Sequence, residues 1–125
     1  MPTSSYTRFM FGTAALFNFG AAALFLPSLG LAAALGLQPL ASQGLFDQIA
    51  LLAIFIFGVG YWMVADNPQA NRGIVKLGLA AKLGVIAIVW AHVLFVGDVN
   101  VRLTLLLSGD LLYSLLFIQH LRRTA

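Results

Sequence analysis

The sequence predicts an all-helical integral membrane protein with four transmembrane helices, and three observations carry that prediction. The 125 residues are 61% hydrophobic and 9% charged, whereas soluble domains average about 45–50% apolar and about 25% charged residues. Four apolar runs approach the roughly 20 residues that a helix needs to cross a bilayer. The runs are separated by Pro, Gly, Asn and Asp, the residues that stop helices and make turns. In water such a chain would expose apolar patches that drive aggregation. It is expected to form a single domain over 1–125, with lipid as its solvent.

The first span is placed at about 8–26, from Arg8 to Leu26, and Pro27 stops it because proline cannot continue the hydrogen-bond ladder. Arg8, the apolar run and the small residues Ala32 to Ala34 also have the outline of a secretory signal, but the run is read as a transmembrane helix. Leu29 to Leu37, between Pro27 and Pro39, is too short to span. It is expected to form a short interfacial or re-entrant helix.

The second span is placed at about 45–65 and the third at 68–95, joined by a tight turn at Asp66-Asn67-Pro68. There Asn67 can cap free amides, and Pro68 suits a first helical position. Gly97-Asp98 marks another short turn, with Asp98 as the cap of the fourth span, about 99–121. Short connections make spans two, three and four antiparallel neighbours in a compact bundle, and one crossover brings span one alongside.

Orientation follows from the distribution of Lys and Arg, which are enriched in cytoplasmic loops. Arg8, Arg72, Lys76, Arg122 and Arg123 fall on one face and Arg102 on the other, so both termini are expected in the cytoplasm and the protein in an inner (plasma) membrane. The net charge of +3 is spread along the chain, which gives no nucleic-acid surface. Tyr6, Tyr61, Trp62 and Trp90 lie toward span ends, where amphipathic rings settle at the membrane boundary.

The residues that do not belong in hydrocarbon are Asn18, Lys82 and Asp110. Asn18 and Lys82 each lie ten residues beyond an arginine at the cytoplasmic face, and Asp110 lies eleven before Leu121. At 1.5 Å per residue all three are roughly 15–16 Å deep, near the midplane. A lone charge there costs about 2.5–3.5 kcal/mol on insertion scales, so opposite charges at equal depth should meet. A Lys82–Asp110 ion pair is expected, with Asn18 hydrogen-bonding nearby.

Tyr113 and Ser114 follow Asp110 by three and four residues and share its helical face. Tyr61 and Lys76 lie nearer the cytoplasm and would extend a polar track to it. Two readings stay open for this ligand-binding or polar-core set. Buried pairs and a single Asn can fix helix register and partner choice, and intramembrane ionisable groups can mark a pathway or a ligand site.

No cysteine is present, and Asp47, Asp66, Asp98 and Asp110 are the only side-chain carboxylates because glutamate is absent. Disulfides and thiolate metal sites are excluded. His92 and His120 fall at opposite ends of their spans and read as interfacial side chains, so no metal and no cofactor is expected. Gly78, Ala80, Ala81, Gly84, Ala87 and Ala91 form a small-residue stripe in the third span, which lets helices approach closely. Nucleophile triads, phosphate-cradling loops and paired catalytic carboxylates do not occur as motifs, so no enzyme signature is found.

Phe17-Asn18-Phe19-Gly20-Ala21 running to Leu24-Phe25-Leu26-Pro27, and Asp66-Asn67-Pro68-Gln69-Ala70-Asn71-Arg72-Gly73 running on to Gly78 and Lys82, resemble segments of small bacterial four-helix membrane proteins. In outline the chain is similar to the DoxX-like group. That resemblance implies an accessory role beside a redox enzyme of quinone-linked sulfur oxidation, and it carries no residue role across. Small multidrug transporters share the size and helix number but depend on a glutamate in the first span, where this chain has Asn18.

Two functions are therefore expected to compete. One is a binding or accessory protein for a larger membrane complex or a lipophilic molecule such as a lipid or quinone, with homo-oligomers allowed by its large lipid-facing surface. The other is a small transporter or intramembrane enzyme that uses Lys82 and Asp110 on a polar headgroup or a proton.

Overall fold

The computed structural model describes residues 4–25, 31–35, 45–97 and 101–124, all of it helix or turn. Elements are α1 (Ser5–Leu24), α2 (Leu31–Ala34), α3 (Leu45–Asp66), α4 (Arg72–Ala91) with a π-helical turn at His92–Val96, α5 (Val101–Leu107) and α6 (Gly109–Arg123). Three segments are long and apolar enough to cross a membrane. They are Gln48–Asp66, Arg72–Val96 and Thr104–Arg123, with mean hydropathies of 2.0, 2.2 and 1.3. The chain is thus a helical membrane protein, and its contacts divide it into two compact units, up to Asn71 and from Arg72 on.

In the first unit α1 starts three residues before Arg8, because Ser4 caps it. The Ser4 hydroxyl accepts from the Thr7 amide at 3.1 Å and lies 2.8 Å from the Thr7 hydroxyl. A serine oxygen in this position satisfies one of the four amides that a helix start leaves free. The helix ends at Leu24, with the Phe25 amide donating to the Ala21 carbonyl. Pro27 and Pro39 lie outside the described residues, as do most of Ser28 to Gly44; the described part of that stretch holds the single turn α2.

The packing of α1 against α3 is antiparallel: Asn18 bonds to Ile54, and toward the other end Arg8 and Gly12 line one groove with Trp62 and Asp66. Met10, Phe11, Ala14, Ala15 and Ala22 of α1 and Tyr61 and Val64 of α3 are buried. Close approach depends on Gly58, where an added Cβ would sit 2.7 Å from the Phe19 ring and 3.2 Å from the Asn18 Cβ. The Phe19 ring is itself held against Phe55, centroid to centroid 5.2 Å.

The turn after α3 differs from the expectation of a helix beginning at Pro68. Asn67 caps as anticipated, its side-chain oxygen accepting from the Ala70 amide at 3.2 Å. The Asn71 amide group then donates to the Met63 and Asn67 carbonyls, both at 3.0 Å, closing the C-terminal end of α3. These bonds hold residues 68–71 as a turn, so α4 begins at Arg72.

In the second unit α4 runs antiparallel to α6. Beyond Ala91 the α4 ladder loosens into the π turn, in which the Gly97 amide reaches the His92 carbonyl at 2.8 Å. Gly97 closes it with φ of 76°, a left-handed conformation natural to glycine. Asp98, expected to cap the next span, lies outside the described residues.

The last span is interrupted at Ser108-Gly109. The Ser108 hydroxyl donates back to the Thr104 carbonyl at 2.7 Å, and the Leu111 amide bonds three residues back to Ser108 at 3.0 Å. Ser-Gly pairs and such back-bonding bend helices, which divides the expected single helix into α5 and α6.

Gly58→Ala is expected to lower stability by about 1–3 kcal/mol, the usual effect of overpacking, because the Phe19 ring has to leave its place against Phe55. Gly20→Ala meets nothing within 4 Å and is expected to be neutral or to stabilise by about 0.5–1 kcal/mol through helix propensity. Reversible unfolding of both variants in mixed micelles checks the contrast.

Candidate functional site

The strongest polar feature of the second unit joins the spans Arg72–Val96 and Thr104–Arg123. Lys82 is on the buried stripe of α4 with Val75 and Gly78, and Asp110 is on the buried face of α6 with Ser114, Phe117 and His120. The Lys82 ammonium Nζ stands 2.7 Å from the Asp110 carboxylate, and the two side chains are 4% and 11% exposed. Burial of both partners is the observation that matters, because an exposed pair contributes only about 0–1 kcal/mol. The equal depths counted along the sequence are met by this direct contact.

Three further features surround the pair. Asp110 lies in the first turn of α6, and the amides of a helix start favour a negative charge. The break at Ser108 therefore gives the carboxylate a helix N-terminus partway along a span. The Lys82 ammonium also sits over two rings, 5.4 Å from the Tyr113 centroid and 6.0 Å from that of Phe117. Cations are attracted to such faces when the ring centre is within about 6 Å.

Ser114, fully buried, donates to the Asp110 backbone carbonyl at 2.7 Å, not to its carboxylate. This disposes of its own hydroxyl and presses the first turn of α6 together. Tyr113 and Ser114 are thus gathered around Asp110, as the three- and four-residue spacing predicts. Phe117 was not anticipated as part of the site, although its place seven residues after Asp110 puts it on the same helical face. Its ring, 6.3 Å from that of Tyr113, completes the aromatic wall.

The remaining candidates are described within their own units. Asn18, expected beside the ion pair, donates from its side-chain amide to the Ile54 carbonyl of α3 at 3.0 Å, within the first unit. That is the interhelical bond of a polar side chain in an apolar pair. Tyr61 also belongs to the first unit, where its buried ring lies 6.2 Å from Phe57. Lys76 is exposed on α4.

His120, read from sequence as an interfacial side chain, is buried on the inner face of α6. The reason is register: it falls three residues after Phe117 and six after Ser114, on the packed side. His92 is exposed, its ring Nδ1 3.0 Å from the Ile88 carbonyl. Among the described residues no three His or Asp side chains gather as a metal-binding group.

Arg72 has a structural role that charge counting alone does not reveal. Its guanidinium donates to the Leu121 carbonyl at 2.9 Å and to the Thr124 hydroxyl, tying the start of α4 to the end of α6. Thr124 in turn donates to the His120 carbonyl at 2.8 Å. The last carbonyls of a helix lack intrahelical partners, and this cation supplies one while complementing the negative end of the dipole.

Arg72→Ala is expected to fray the end of α6, with amides near 121–124 exchanging about tenfold faster while those around Asp110 keep their protection. The magnitude follows from losing a hydrogen bond to a charged donor, about 1.5–3 kcal/mol, and hydrogen exchange in micelles measures it. No protein-family model, curated protein sequence or solved structure matches the chain, and the reading of the site rests on its own geometry.

Proposed function

We propose that this chain is a small binding or accessory protein of the membrane, serving a larger membrane complex or a lipophilic molecule, and that the Lys82–Asp110 pair is its internal clasp. The carrying observation is the closure of the pair: both groups are buried, and each is bonded to the other at 2.7 Å. Among the described residues no buried side-chain nitrogen or oxygen lacks a hydrogen-bond partner. A transporter or intramembrane enzyme working through this pair would need it open to a substrate or to water. Large apolar side chains such as Leu77, Ile88, Leu105 and Leu112 are exposed on the same unit, a surface suited to lipid or to a membrane partner.

The proposal includes a fourth span. α1 is 20 residues long, about 30 Å at 1.5 Å per residue, and packs antiparallel on α3, which contains the span Gln48–Asp66. Its lower hydropathy comes from Arg8, Thr13, Asn18 and its glycines, and the buried Asn18 is satisfied by α3. The single turn α2 then lies at the membrane surface or in a re-entrant position.

Cytoplasmic termini in an inner membrane are supported by the pairing of basic residues within each unit. Arg8 lies at the Asp66 end of the α1–α3 pair, and Arg72 meets the end of α6 next to Arg122 and Arg123. A periplasmic-active reporter joined after Ala125 is expected to be silent and a cytoplasmic-active one bright. The opposite pattern overturns the orientation.

Asp110→Asn and Lys82→Met should each lower stability by about 3–5 kcal/mol by stranding the other buried group, and the double variant should recover most of that loss. Thermal unfolding of the purified proteins, with growth or transport phenotypes of the same alleles, reads both roles. Recovery of stability and phenotype by the double variant supports the clasp. Variants that stay folded while the phenotype vanishes in all three overturn it and favour the transporter or enzyme.

A further inference from the structure

At the Arg8–Asp66 end of the α1–α3 pair the helices part to leave an open groove of about 220 Å³, lined by Arg8, Gly12, Trp62, Ala65 and Asp66. Two of its residues carry opposite charges, yet among the described residues neither side chain makes a hydrogen bond or ion pair. Trp62 presents its indole at 59% exposure. An added Cβ at Gly12 would meet nothing within 4 Å, so the floor beside Arg8 is open.

The depth of the groove says what it faces. Asp66 ends the span Gln48–Asp66 and Trp62 lies one turn inside it, the level at which indole rings and lipid headgroups meet. The volume is below the roughly 300–1,000 Å³ of pockets for drug-sized ligands, which suits a headgroup whose tails remain in the bilayer.

Charge then selects the headgroup. A guanidinium binds a phosphate strongly, often through two parallel N–H bonds, but an anionic lipid would bring its net negative charge beside the Asp66 carboxylate. A headgroup with both a phosphate and an ammonium satisfies both walls, and the Trp62 face adds attraction for the cation. A primary ammonium has three N–H donors for the carboxylate, whereas a quaternary one has none.

We propose that this groove binds a phosphatidylethanolamine, with Arg8 on its phosphate and Asp66 and Trp62 on its primary ammonium. The site rests on α1 lying in the membrane, as proposed above, and names a lipid class for that reading. A misplaced Ala125 reporter would overturn the topology, whereas the experiment below overturns only the headgroup site.

The test melts the purified full chain in a non-ionic detergent with short-chain phosphatidylethanolamine, phosphatidylglycerol or phosphatidylcholine, and with free phosphoethanolamine. Phosphatidylethanolamine should raise Tm more than the other two lipids, and the free headgroup should have little effect. Asp66→Asn should lose the preference over phosphatidylglycerol, and Arg8→Gln should weaken phosphatidylethanolamine about tenfold, the effect of one charge-assisted bond. Gly12→Leu, where the added Cβ meets nothing within 4 Å and the longer side chain enters the groove, should remove the response to phosphatidylethanolamine.

Equal stabilisation by all three lipids, an Asp66→Asn variant that keeps the preference, or free phosphoethanolamine acting as well as the lipid would each overturn the proposal. Native mass spectrometry of the wild-type protein drawn from membranes gives an answer that needs no variant. Retained phosphatidylethanolamine in excess of its share of the membrane supports the site, and retention in proportion to that share, or enrichment of phosphatidylglycerol, overturns it.

Discussion

Hydrocarbon offers no hydrogen bonds, and that single constraint organises what this chain does with every polar group it buries. An unsatisfied polar group in the bilayer costs several kcal/mol, so helices satisfy the backbone, and Asn18, Lys82 and Ser114 each bond within their own unit. Asn18 is taken up by the Ile54 carbonyl, Lys82 by Asp110, and the Ser114 hydroxyl by the Asp110 carbonyl. The two helix pairs use this economy differently. One joins a neutral amide to a backbone oxygen over a glycine contact, and the other joins a lysine to an aspartate beside aromatic rings.

Much of the second unit was legible because its determinants are periodic and local. The equal depth of Lys82 and Asp110 needed only helical rise, and the company of Tyr113 and Ser114 needed only helical spacing. For Asn18, helical rise fixes a level in the membrane and not a direction around the helix axis, and its side-chain amide bonds to the Ile54 carbonyl of α3. A carbonyl of the nearest helix was a sufficient partner for a lone amide. His120 shows the same limit: its place near the helix end sets a level, and its register with Phe117 puts it on the buried face of α6.

The boundaries that sequence missed are those decided by side-chain bonds to backbone. Pro68 is a plausible helix start, but two hydrogen bonds from Asn71 extend the turn to Arg72. Ser108 is unremarkable in an apolar run, yet its hydroxyl and the following glycine divide the last span.

The location of the charged pair on two successive long helices bears on the order in which the membrane accepts them. The α4 segment, with a mean hydropathy of 2.2, can carry one lysine into lipid on its own apolar strength. The segment holding Asp110 is much weaker at 1.3, and an aspartate in a spanning helix opposes insertion, by about 2.5–3.5 kcal/mol where it lies at the centre. In chain order Lys82 precedes Asp110, and the 2.7 Å contact between them gives the later, less apolar segment a counter-ion on a helix made before it.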